Sequence, residues 1–270
     1  MFKSLVLIIF ISLFTFIGCS KDSVTSKSDK AILNVYIRDS AADYESVYLT
    51  INFLASRVTY DTTGNITMLY NDEEAFDFAS LRNGNKYLIA SKEMPIGSIG
   101  SIRIFFGSCW LTLVDDTTKH YLTFRNSSDI IMDIEKRISF SQKDDTANAV
   151  IDINLWTSIE YDSTNGIYYF EPDISLMNYD NESAIYGIIN PRSHVYLINN
   201  LTDEILAYTL SDLGTGQFGF YGLSEGFYDV KHVPWSYFEN TYDTLRNVYI
   251  PIYPGVDFDM GTIDLPELGG

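Results

Sequence analysis

Apolar residues return at every second position along most of this chain. In one run Val47, Leu49, Ile51 and Phe53 fall on one side, while Tyr48, Thr50 and Asn52 fall on the other. Ile102 and Ile104 alternate with Ser101, Arg103 and Phe105, Ile151 and Ile153 with Asp152, and Val248, Ile250 and Ile252 with Tyr249 and Pro251. A period of two places side chains on opposite faces of a half-buried strand. Turn-forming residues punctuate the runs at Thr63-Gly64-Asn65, Asn83-Gly84, Asn165-Gly166, Leu213-Gly214 and Pro254-Gly255. No long window carries a helical period; Glu74–Leu81 makes one helical turn at most. The pattern predicts an all-β protein: two antiparallel β-sandwich domains in tandem.

The start of the chain breaks this pattern. Leu5 to Ile17 is an almost unbroken apolar run behind one cation, Lys3. Thirteen residues of helix would span about 20 Å, short of a hydrocarbon core of roughly 30 Å. That length and the small residue Gly18 read as a secretory signal over residues 1–18. Phe16-Ile17-Gly18-Cys19 resembles a bacterial lipobox, which implies cleavage before Cys19 and acylation there. Each buried CH₂ of such chains contributes about 0.8 kcal/mol to membrane attachment. Residues 19–29 then form a flexible tether of roughly 15–20 Å as a coil, and Ser20 directly after the cysteine points to the bacterial outer membrane, on its periplasmic or cell-surface face.

Charge narrows the partners. The formal net charge is −18, a poor match for nucleic acid or anionic lipid. Apart from Cys19 the only cysteine is Cys109, so no intramolecular disulfide is available. It alternates with Leu111 and Leu113 and reads as a buried structural thiol.

A polar stretch, Met177 to Ser183, separates two strand-rich parts: residues 30–178 and 184–266. The first carries Phe76-Asp77-Phe78-Ala79-Ser80-Leu81-Arg82-Asn83-Gly84, then Met94-Pro95-Ile96-Gly97 before Ile102-Arg103-Ile104, and Glu171-Pro172-Asp173-Ile174 near its end. This order resembles the bacterial lipoprotein family known as domain of unknown function 4382, with Ala41 where proline is usual and Met94 where leucine is. The second carries Gly222-Leu223-Ser224-Glu225-Gly226-Phe227-Tyr228, preceded by Asp212 and by Gly216-Gln217-Phe218. It resembles the carboxypeptidase regulatory-like domain, which implies a seven-stranded, transthyretin-type sandwich that lends rigidity and display rather than catalysis.

Convergent chemistry is sparse. His120, His194 and His232 lie on separate segments without metal-ligand spacing, and each reads as a strand-surface or edge residue. The loop Asp115-Asp116-Thr117-Thr118 reads as a solvated hairpin rather than a Ca²⁺ site. No nucleophile elbow and no phosphate loop is present. Aromatics crowd one segment, Trp235, Tyr237, Phe238 and Tyr242, making these the candidate ligand contacts; burial against the sandwich end is the competing reading. The expectation is a non-catalytic lipoprotein of the cell envelope, held to the membrane by lipid at Cys19, without cofactor or metal. It would present its sandwiches to a surface glycan or an envelope protein. A fimbrial or pilus-type structural subunit, or an accessory subunit of a polysaccharide-uptake complex, is the alternative.

Overall fold

A computed structural model of the chain describes residues 30–39, 44–58, 66–113, 116–126, 131–140, 142–178, 183–212, 214–235 and 243–267. The protein is all-β, as the alternation predicts. Its first part contains β1 (Lys30–Asp39), β2 (Ser46–Val58), β3 (Ile66–Tyr70), β4 (Glu74–Asp77), β5 (Tyr87–Pro95) and β6 (Gly97–Leu113). It continues with β7 (Asp116–Phe124), β8 (Ile131–Phe140), β9 (Thr146–Ile153), a one-turn helix α1 (Leu155–Ser158), β10 (Ile159–Asp162), β11 (Ile167–Phe170) and β12 (Ile174–Asn178). The second part holds β13 (Ser183–Asn190), β14 (Ser193–Asn199), β15 (Ile205–Leu210), β16 (Gln217–Leu223), β17 (Gly226–Pro234), β18 (Leu245–Ile252) and β19 (Phe258–Asp264).

Each part is two sheets enclosing one apolar cluster. In the first, a four-stranded sheet in the order β12-β9-β1-β5 covers an eight-stranded sheet built on the path β10-β11-β7-β6-β2-β3. The cluster between them draws on Leu33, Val35, Leu49, Ile102, Phe106, Leu111 and Ile151, all essentially inaccessible. In the second, three strands (β16-β13-β19) face four (β15-β14-β17-β18) across Ile185, Ile189, Val195, Phe218, Val230 and Ile250. Pairing is mostly antiparallel, but β1–β9, β7–β11 and β13–β19 run parallel. A period of two reports which face is buried and is silent about strand direction.

Bulges correct the alternation locally. The register of β2 against β6 shifts between Ile51 and Phe53, so Leu54, not Phe53, is the next fully buried residue. In β18, alternation places Val248 inward, yet it is 55% exposed. Tyr228 faces Ile250 and Val230 faces Asn247, so Val248 and Tyr249 bulge opposite Asp229, with Tyr249 at a φ of 59°. The buried Asp229 carboxylate holds this bulge: it accepts from the Tyr249 amide at 3.1 Å, from Asn200 at 2.6 Å and from the Arg246 guanidinium at 2.7 Å. The expected helical turn in Glu74–Leu81 is confined to Phe78–Leu81, after the short strand β4.

Cys109 is buried as expected, and burial pushes its thiol up to about 12. His232 is not at a surface or edge. It is fully buried on the face that β17 turns inward with Val230, edge-on to Phe218 at 5.2 Å between ring centres. Neither ring nitrogen has a hydrogen-bond partner among the described residues, and burial pulls its pKa down to about 4. No helix among the described residues is long and apolar enough to cross a membrane.

Candidate functional site

The two sandwiches meet along β15 and β16, and the Asn83-Gly84 turn is the point of engagement. Both residues have left-handed backbones, φ 56° and 82°, a conformation that Asn and Gly adopt at least cost. The turn thereby projects the Asn83 side chain into the second sandwich. Its amide donates to the carbonyls of Leu210 at 3.3 Å and Gln217 at 3.4 Å, and its oxygen accepts from the Thr209 hydroxyl at 2.8 Å. One side chain thus bridges β15, on the edge of the four-stranded sheet, and β16, on the edge of the three-stranded sheet.

Tyr221 answers from the other side. Its hydroxyl donates to the Asn83 carbonyl at 3.4 Å, and its ring lies against Gly84 and Gly219, where any Cβ would collide with it. The Arg38 guanidinium stands 5.8 Å from the centre of that ring. Arg38 in turn pairs with Asp152 at 2.9 Å, the two side chains 3% and 5% exposed. Alternation places Asp152 on an outward face; docking of the second sandwich buries it. Tyr208 is covered in the same way, with the Trp156 ring of α1 at 4.6 Å.

This docking leaves a cleft of about 390 Å³ on the outer face of the three-stranded sheet, within the range of small-molecule sites. Tyr186 and Ile188 point outward from the central strand β13. The register sets Gly219 on one side of Tyr186 and Asp259 on the other. Gly187 is obligatory here, because a Cβ would stand 2.9 Å from the Gly261 carbonyl and 3.1 Å from the Phe218 ring. The walls are Asn83, Gln217 and Tyr221 on one side and Asp259, Gly261 and Thr262 on the other. Asp259 Oδ1 accepts from the Gly261 amide at 2.8 Å, which fixes the carboxylate at the rim. The arrangement offers two tyrosine rings, the exposed backbone of Gly261, hydroxyl and amide groups and one carboxylate. It suits recognition of a polar, ring-shaped ligand.

The aromatic segment singled out in the sequence lies elsewhere. Trp235 is half-buried, stacked on His194 at 4.9 Å with the Arg192 guanidinium 4.5 Å from its ring centre. His194 is further engaged with the Tyr208 hydroxyl at 2.7 Å. Tyr237, Phe238 and Tyr242 lie outside the described residues, as does Cys19. Asp116 pairs with Leu113 where β6 passes into β7; it accepts from the Thr118 amide at 2.8 Å and lies 3.3 Å from His120, while Asp115 lies outside the described residues. No group of three or more acidic, histidine or cysteine side chains that could hold a metal occurs among the described residues. The residues that line the cleft were missed because Tyr186 and Tyr221 sit at ordinary outward strand positions. The available signal was glycine at Gly187, next to the outward Tyr186, and at Gly219 and Gly261, two positions from Tyr221 and Asp259 respectively.

A family described as "Domain of unknown function (DUF4382)" matches residues 30–172. The chain belongs to this family. The match takes in the first sandwich through β11, including the Asn83-Gly84 turn, and Met94, which stands for the usual leucine, is 1% exposed in the core. No curated protein matches the sequence. Among solved structures, the Bacillus anthracis TIE protein is similar at 8% identity over 88% of this chain and 34% of its own, with a TM-score of 0.24. This chain therefore spans about a third of that protein's length. A minor pilin of Streptococcus agalactiae matches at 8% identity over 88% of this chain and 97% of its own, with a TM-score of 0.25. The shaft pilin SpaA of Lactobacillus rhamnosus GG matches at 11% identity, 88% and 97%, with a TM-score of 0.22.

Proposed function

We propose that the protein is a non-catalytic, lipid-anchored protein of the bacterial outer membrane whose junction cleft binds a surface glycan. The observation that carries this reading is the placement of Tyr186, an outward ring flanked on one side by Gly219, over which the Tyr221 ring lies, and on the other by the Asp259 carboxylate. A sugar has apolar C–H faces and a rim of hydroxyls. An aromatic ring bordered by carboxylate, amide and hydroxyl groups complements both. The latch at Asn83 and the buried Arg38–Asp152 pair support a cleft whose walls hold their spacing without a ligand.

The anchor rests on the apolar run ending in Phe16-Ile17-Gly18-Cys19, and Ser20 supports the outer membrane. The three-plus-four arrangement of β13–β19 supports reading the second sandwich as a carboxypeptidase regulatory-like domain. A glycan array probed with the mature chain, made soluble by Cys19→Ser, tests the function. Binding that is lost in Tyr186→Ala without a fall in melting temperature supports it; absence of binding to every glycan overturns it.

A further inference from the structure

We infer that the cleft selects neutral and amino-bearing glycans and rejects carboxylated ones, a deepening that rests on the glycan reading above. Among the residues lining the cleft, Asp259 is the one that carries a charge at neutral pH, and no Lys, Arg or His is present. Its Oδ1 accepts from the Gly261 amide at 2.8 Å, which favours a position of the carboxylate at the rim. Arg38, whose guanidinium lies 5.8 Å from the centre of the Tyr221 ring, is buried against Asp152. Nothing within the cleft can therefore neutralise an incoming uronate, and the net charge of −18 adds to its repulsion.

Magnitudes decide that this matters. Two unit charges about 4 Å apart in water change a binding constant by roughly fivefold, and by more where the cleft excludes solvent. A sugar carboxylate near Asp259 suffers that penalty, and a sugar ammonium gains it. Salt erodes both, since the screening length falls from about 10 Å at 0.1 M to about 3 Å at 1 M. Asp259→Asn isolates the charge, because the amide oxygen still accepts from Gly261.

The test prints neutral, amino-bearing and carboxyl-bearing glycans on one array and probes it with the mature chain carrying Cys19→Ser, with and without Asp259→Asn. Titration calorimetry with chitotetraose and its fully deacetylated form accompanies it. Binding confined to neutral and amino-bearing glycans is expected, with the deacetylated tetramer bound about fivefold or more tightly than chitotetraose. Asp259→Asn should abolish that ratio, and raising the salt from about 0.1 M to about 1 M should shrink it in the unsubstituted chain. Strongest binding to carboxylated glycans, or a ratio unchanged by Asp259→Asn, overturns the inference and leaves the glycan reading intact. No binding to any glycan overturns both.

Discussion

The Thr209 hydroxyl donates to the Asn83 side-chain oxygen across the junction at 2.8 Å. Through this contact a turn of the first sandwich reads the edge of the second. Asn83→Ala should lower stability by about 2–3 kcal/mol, from three lost hydrogen bonds and a left-handed backbone that alanine disfavours. Asn83→Gly keeps the backbone and should lose only the hydrogen-bond share. Urea unfolding of the two variants separates the contributions.

The Arg38–Asp152 pair is buried where the sandwiches meet. Removing one partner leaves an uncompensated charge there, so Arg38→Met should cost about 3–5 kcal/mol. The double variant Arg38→Met with Asp152→Leu should recover most of the loss. A double-mutant cycle in urea reads the coupling.

His232 makes stability depend on acid. Its folded pKa of about 4 lies below the ordinary histidine value of 6.5, so between those values the unfolded chain takes up a proton that the folded chain refuses. Stability is complete above about pH 6.5 and falls by about 3 kcal/mol as pH drops toward 4. His232→Leu should flatten the unfolding free energy over that window.

Cys109 should be inert in the native protein. Burial pushes its thiol up to about 12, which leaves almost no thiolate at neutral pH. In the Cys19→Ser chain, iodoacetamide should label Cys109 only after denaturant unfolds the first sandwich. Mass spectrometry before and after denaturation checks this.

The strand faces were legible in the sequence wherever alternation ran unbroken, as at Leu49, Ile102, Ile104 and Ile151. Alternation failed at Phe53 and Val248, because a bulge exchanges the two faces and depends on the partner strand. His232 was legible in principle: it shares the parity of the buried Val230 two residues earlier. Asp152 and Tyr208 were not, since their outward positions are buried by a second unit that arrives from elsewhere in the chain. The cleft was hidden for the same reason. Its walls come from Tyr221 and Asp259, on the strands either side of β13, and from Asn83 of the other sandwich, so long-range strand pairing and docking are both needed to bring them together.

The most direct test of glycan binding in the cleft is amide chemical-shift mapping of the Cys19→Ser chain during titration with chitotetraose. Saturable shifts centred on Tyr186, Gly187, Gln217, Asp259 and Thr262, and absent in Tyr186→Ala, are the expected result. Shifts centred instead on Trp235 and its neighbours, or no saturable shifts at all, would contradict the account.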